Sequence, residues 1–132
     1  MKNIILITGA SSDIGLSLIK SIKEDCIIIA HYNSNNSDLL KLQKVVSNKI
    51  ITIKSDFSSE KSIVQMLDKI ESEIGIPNKI VHLVSPKTKN IRFKNDNWKN
   101  LQLQLNISLG SITIILNRFL TKMAINKNGK IV

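Results

Sequence analysis

The sequence predicts an α/β fold, a three-layer α/β/α arrangement in which a parallel sheet carries helices on both faces. Three observations predict it. Strand-like apolar runs alternate with helix-like amphipathic runs along all 132 residues, the order of βα units rather than of hairpins. The run Cys26-Ile27-Ile28-Ile29-Ala30 is apolar at every position, as a parallel strand buried on both faces must be. The first apolar run, Ile4-Ile5-Leu6-Ile7, enters a turn punctuated by Gly9 and Gly15 and then an amphipathic segment. A strand, a glycine turn and a helix N-terminus together point backbone N–H groups and the positive end of a helix dipole outward, where an anion is stabilised.

The elements follow in order. Residues 3–7 form the first strand and 14–23 the first helix, with Asp13 expected as its N-cap. Residues 26–30 form the second strand. A helix is expected over 38–46 with Ser37 as N-cap, and the third strand over 50–53. Ser59 opens a helix running to about residue 74, with Glu60 in the first turn where the dipole favours it; Gly75 and Pro77 stop it. Residues 79–84 form the fourth strand, ended by Pro86. Leu101, Leu103, Leu105, Ile107 and Leu109 alternate with polar residues, a strand period, yet Leu101, Leu105, Leu109, Ile112, Leu116 and Leu120 also keep helical spacing. No proline interrupts residues 98–123, and a strand of that length would be unusual, so a helix is expected there. Trp98 is expected to anchor its start. The apolar positions nearly encircle it around residues 112–119, so it packs on more than one side. Residues 129–132 begin a fifth strand.

Composition bounds the function. A 42% apolar content argues for a folded domain rather than a disordered chain. The start, Met1-Lys2, leads into only a short apolar run, so no signal peptide is expected. No stretch is expected to approach the roughly 20 apolar residues of a membrane span, and no membrane partner is expected. The single Cys26 forms no internal disulfide and reads as core packing; a reducing, cytoplasmic setting is the simplest inference. The formal charge of +9 comes almost entirely from lysines spread from Lys2 to Lys130. Nucleic-acid surfaces cluster their cations and interleave aromatics, whereas aromatics here are 4% of the chain. The densest group, Lys87, Lys89, Arg92 and Lys94, reads as a solvated loop, and no nucleic acid is expected. No Cys/His set offers a metal site.

The stretch Thr8-Gly9-Ala10-Ser11-Ser12-Asp13-Ile14-Gly15 resembles the Thr-Gly-x-x-x-Gly-x-Gly turn of the short-chain dehydrogenase/reductase family, with Asp13 in place of one glycine. Later landmarks fall in the family's order: Asp56-Phe57 after the third strand, His82-Leu83-Val84-Ser85 where many members carry Asn-Asn-Ala-Gly, and Asn106 within the long helix. The resemblance implies a Rossmann fold with strand order 3-2-1-4-5, spanning residues 1–132 as an NAD(P)-binding domain that lacks the family's catalytic and substrate-binding C-terminal part.

That resemblance also implies the site. Thr8 and Gly9 enter the turn, and Gly15 lets helix and strand pack closely. Ser11, Ser12 and Ile14 lie where the family contacts ribose and phosphates, and Asp56 and Phe57 where it holds adenine. Ser85 keeps the small character needed where a cofactor passes. Asn106 corresponds to the family's helical Asn, which supports a proton-relay water through backbone distortion and would be the catalytic residue of this chain; a plain surface Asn is the alternative. His82 reads as a strand-end histidine satisfied by backbone. After the second strand the loop Tyr32-Asn33-Ser34 carries no acid before Asp38. An acid there holds the ribose hydroxyls in NAD sites, so NADP is expected, with NAD possible, although no Arg is present to pair with a 2′-phosphate.

Family chemistry needs a Tyr whose pKa is lowered by a Lys four residues on, and a Ser that polarises the carbonyl. Tyr32 is the sole tyrosine, and position 36 is Asn36. The expectation is therefore the nucleotide-binding portion of an oxidoreductase that, at full length, moves hydride between NADP(H) and a carbonyl or alcohol substrate. The alternative is a non-catalytic nucleotide-binding or regulatory module. Homo-oligomerisation is expected, burying the surface of Ile112, Ile115 and Phe119.

Overall fold

The computed structural model describes residues 2–87 and 89–132. Five strands form one parallel sheet in the order β3-β2-β1-β4-β5: β1 Asn3–Thr8, β2 Cys26–Tyr32, β3 Lys49–Lys54, β4 Lys79–His82 and β5 Lys130–Ile131. Every pairing is parallel, so each later strand is reached by a crossover connection. The connecting helices are α1 Asp13–Ser21, α2 Ser37–Gln43, α3 Glu60–Glu73, α4 Trp98–Leu105 and α5 Ser111–Ile125. The predicted fold and strand order are those observed.

Alternation along the strands divides the core in two. Leu6, Ile29, Ile53 and Ile80 point to one face and pack with Ile63, Leu67 and Ile70 of α3 and Ile115 and Phe119 of α5. Ile5, Ile7, Ile28 and Ala30 point to the other and meet Ile19 of α1 and Leu39 and Leu42 of α2. Each fully buried Ile or Leu contributes about 1.5–3 kcal/mol, so both helical layers are held by the same strands. Cys26 is fully buried, and that burial pushes its thiol pKa up.

Several expectations shift at element ends. The N-cap of α1 is Ser12, whose hydroxyl accepts from the Gly15 N–H at 3.1 Å; Asp13 is instead the first helical residue, still where the dipole favours a carboxylate. The cap position of α2 falls on Asn36 rather than Ser37, because the Asn35 side chain takes the Ser37 N–H at 2.9 Å and tightens the turn. The fourth strand ends at His82, two residues early, with the Leu83 N–H still bonded to the Thr8 carbonyl of β1. The long helix is helical throughout but not uniform: residues Asn106–Gly110 form a π-helical turn between α4 and α5. Trp98 does not anchor α4; it is 77% exposed. Ile115 and Phe119 are fully buried within the chain and offer nothing to a second copy. The exposed apolar row lies instead on Leu101, Leu105, Leu109 and Leu120.

By length and composition the 28-residue run Trp98–Ile125 is long and apolar enough to cross a membrane, although polar residues interrupt it. In this fold its inner face packs on the sheet and α3. Arg118 reaches back to Asp68 at 2.7 Å and Glu71 at 3.0 Å on α3, which ties the two helices together.

Candidate functional site

The carboxyl ends of β1, β2 and β4 open onto a cleft of about 530 Å³, the position at which ligands bind in open parallel sheets. Its floor is the β1–α1 turn. Gly9 holds φ +66°, and a Cβ there would press on the Leu83 and Val84 backbone at 3.1 Å, so only glycine suits the turn. Gly15 does not enter the cleft. A Cβ on it would stand 2.5 Å from the Ala10 carbonyl oxygen, which is what lets α1 seat directly against the turn.

The structure brings together eight of the residues singled out by sequence: Gly9, Ser11, Ser12, Asn33, Ser34, Asp56, Phe57 and Ser85 all line this cleft. The others lie elsewhere. Thr8 is fully buried beneath the turn. Ile14 is 69% exposed on the outer face of α1. Tyr32 ends β2 and faces a shallow hollow with Thr52, Lys54 and Gln65. Asn106 is exposed at the start of the π-turn and lines a neighbouring cleft with Phe57, Ser58 and Leu109. The backbone distortion that the resemblance implies at Asn106 is present: the Ser111 N–H bonds back to the Asn106 carbonyl, five residues earlier.

Two histidines frame the turn. His31 is buried; its Nδ1 accepts the Gly9 N–H at 3.1 Å and its Nε2–H donates to the Ser55 carbonyl at 2.9 Å. Its ring stacks on Phe57, with centroids 4.0 Å apart. Burial lowers its pKa from the usual 6.5 to about 4, so it is neutral. His82 is half-buried, and burial lowers its pKa too. The Thr8 hydroxyl accepts the Leu83 N–H at 3.1 Å and donates to His82 Nδ1 at 2.8 Å, while His82 Nε2–H donates to the Ser108 carbonyl at 3.0 Å. Asp56 is turned by Ser58, whose hydroxyl and N–H both bond its Oδ1 and hold its pKa below the ordinary carboxylate value.

Sequence reasoning did not place His31 in the cleft, nor Lys87 and Lys89, nor Leu103 and Ile107 of the long helix. The lysines were legible only as a basic cluster. The helix residues needed the fold, because β4 had to be laid beside the helix before its side chains faced the turn. A small recess at the other end is lined by Ser11, Asn33, Ser34, Asn35 and Asp38, and the Asp38 carboxylate there pairs with Lys41 at 2.9 Å.

A family model described as short chain dehydrogenase matches residues 3–132. The chain belongs to the short-chain dehydrogenase family. It supplies the NAD(P)-binding portion of that family's fold. Solved structures agree in fold. A short-chain dehydrogenase/reductase from Saccharomyces cerevisiae superposes with TM-score 0.81 at 17% identity, over 98% of this chain and 53% of that one. An L-sorbose reductase from Gluconobacter frateurii, solved with NADPH and L-sorbose, gives TM-score 0.82 at 15% identity, over 95% of this chain and 49% of that one. A bulky-bulky ketone specific alcohol dehydrogenase from Comamonas testosteroni gives TM-score 0.82 at 15% identity, over 98% and 52%. The chain thus spans about half the length of these relatives. No curated protein matches it by sequence. Within the short-chain dehydrogenase frame, its departures are Asp13 in the glycine turn and His82-Leu83 at the end of β4.

Proposed function

We propose that this chain binds NADP(H) in the cleft beside the Gly9 turn and, as part of a short-chain dehydrogenase/reductase, serves hydride transfer between that cofactor and a carbonyl or alcohol substrate. The observation that carries the reading is the meeting of the glycine turn, the loop after β2, Asp56-Phe57 and Ser85 along one continuous cleft. Those residues come from four separate βα junctions, and a dinucleotide is long enough to touch all of them. The volume suits a ligand of that size.

Ser11 and Ser12 would meet the phosphates and ribose beside the α1 N-terminus. Asn33 and Ser34 would take the adenosine ribose, Asp56 the adenine amino group, and Ser85 the path towards nicotinamide. Asp13, exposed and outside the cleft lining, leaves the phosphate path open. Lys87 and Lys89 add positive charge for a polyanionic ligand. The cofactor would supply the hydride, while Asn106 at the π-turn would help support the proton path. A second copy of the chain, in a cytoplasmic setting, would cover the exposed leucine row.

Calorimetry with NADPH and NADH tests this reading. NADPH binding at least tenfold tighter than NADH, about 1.4 kcal/mol, is expected. The reverse preference would overturn the cofactor assignment, and binding of neither would overturn the site.

A further inference from the structure

His82 joins three elements. It ends β4, its Nδ1 takes the Thr8 hydroxyl proton at 2.8 Å beneath the glycine turn, and its Nε2–H reaches the Ser108 carbonyl at 3.0 Å inside the π-turn. A π-turn shifts backbone pairing by one residue and leaves carbonyls without their usual helical N–H. Here the shifted bond runs from the Ser111 N–H to the Asn106 carbonyl, and the next three carbonyls each receive a side-chain donor: Ile107 from the Ser111 hydroxyl at 2.6 Å, Ser108 from His82, and Leu109 from the Thr113 hydroxyl at 2.8 Å. Ser111 and Thr113 belong to the same helix. His82 is therefore the one donor of the three that fixes the π-turn to the sheet.

The bonding also fixes the ring's form. The Ser108 carbonyl can only accept, so Nε2 carries the ring proton; Nδ1 of the neutral ring then accepts from the Thr8 hydroxyl, whose oxygen accepts the Leu83 N–H. Burial favours this neutral ring. Ile107, within the π-turn, lines the cofactor cleft together with Leu103 of α4 and with Ser85. The position of the π-turn thus sets the width of the cleft at its end away from Asn33 and Ser34.

We propose that His82 is a positioning residue for the nicotinamide half of the bound dinucleotide, holding the π-turn against the glycine turn through Ser108 and Thr8. This rests on the dinucleotide reading above. Without the Nε2–H donor, the Ser108 carbonyl loses its side-chain tie to β4 and the segment is free to relax towards regular α-helix, which carries Ile107 away from the cleft. The adenosine half, bound at Asn33, Ser34 and Asp56, is untouched.

The test compares His82→Leu and His82→Gln with the unchanged chain, measuring affinity for NADPH and for adenosine 2′,5′-bisphosphate, and amide hydrogen exchange at residues 106–111. For His82→Leu, NADPH affinity should fall about tenfold, the scale of one lost buried hydrogen bond, with the bisphosphate affinity unchanged. Exchange at residues 106–111 should quicken. His82→Gln, which restores an N–H donor of similar reach, should recover both. An equal fall for both ligands, or no fall for NADPH, would overturn the proposal, since a general loss of structure weakens the two alike. Should the unchanged chain bind neither ligand, the dinucleotide reading fails by itself. The exchange data then still judge His82: unaltered exchange in His82→Leu overturns its hold on the π-turn.

Discussion

The backbone N–H of Gly9 donates to Nδ1 of His31 at 3.1 Å, across the gap between the glycine turn and the end of β2. Because the N–H is a fixed donor, this contact exists only while Nδ1 is unprotonated. The opposite nitrogen donates to Ser55, so a protonated ring would set two N–H groups against each other at Gly9. The glycine turn is thereby tied to the neutral state of a buried imidazole.

Acid should weaken the fold for this reason. The folded pKa of His31 lies near 4 and the unfolded one near 6.5. Between those values the unfolded chain binds a proton that the folded chain refuses, so stability falls as pH drops through this window and is level above it. The loss approaches about 3 kcal/mol by pH 4. His82, also lowered by burial, acts in the same direction. Urea unfolding at pH 7.5, 6 and 5 should show the decline, and His31→Phe, which keeps an aromatic against Phe57, should flatten it. Equal stability at pH 7.5 and 5 in the unchanged chain would contradict the argument.

Gly15→Ala should be the most damaging single methyl in the molecule. Its Cβ would lie 2.5 Å from the Ala10 carbonyl oxygen and 2.7 Å from the Ala10 Cα, and backbone cannot swing aside as a flexible side chain can. Overpacking of this kind costs about 1–3 kcal/mol or more, and contact with rigid backbone at 2.5 Å puts it at the upper end, above the gain of at most about 1 kcal/mol from better helix propensity at that position. Chemical denaturation should show a midpoint clearly below that of the unchanged chain. Gly110→Ala makes the contrast: its Cβ meets nothing nearer than 3.8 Å, and it should leave stability unchanged or raised.

Much of this was legible before the structure. The parallel sheet and the glycine turn follow from local pattern, because a parallel strand must be apolar on both faces and a tight turn must carry glycine; the strand order and the landmarks Asp56-Phe57 and Ser85 were implied by the family resemblance. The missing part is what depends on lateral neighbours. His31 stands beside Gly9 only because β2 lies next to β1, and His82 meets Ser108 only once the long helix is laid over β4. Period alone cannot reveal the π-turn either, since one shifted residue leaves leucines on nearly the same face. Trp98 failed as an anchor because a large apolar residue at a helix start packs only if something stands opposite it, and here nothing in the described residues does.

Asp38 should govern the choice between the two nicotinamide cofactors. Its carboxylate lies in the recess with Ser11, Asn33 and Ser34, where it would oppose a 2′-phosphate, and Lys41 at 2.9 Å offsets that charge. Both side chains are largely exposed, so screening keeps the effect modest. Asp38→Asn should tighten NADPH about threefold and leave NADH unchanged, while Lys41→Ala should weaken NADPH by a similar factor, as expected for exposed charge pairs of roughly 0.2–1 kcal/mol. Calorimetry at low and at high salt checks this, since the difference should shrink as salt rises. Tighter NADH binding in Asp38→Asn would show that the recess takes no 2′-phosphate.

The leucine row on α4 should draw two copies of the chain together. Leu101, Leu105 and Leu109 stand about one helical turn apart and all are exposed, the last at 62%; Leu120 of α5 is exposed farther along the same helical run. Single exposed leucines are ordinary on a soluble surface, but a contiguous row along one helix marks a contact face. The core cannot reclaim it, because the opposite side of the same helical run already packs on the sheet through Ile115, Phe119 and Met123. Light scattering at rising concentration should therefore show a species of twice the chain's mass or more. Leu105→Lys combined with Leu109→Lys should return it to a monomer with its unfolding midpoint little changed, since neither side chain belongs to the core. A monomer at all concentrations in the unchanged chain would remove the self-association reading, and a dimer that survives both lysines would move the contact to another face.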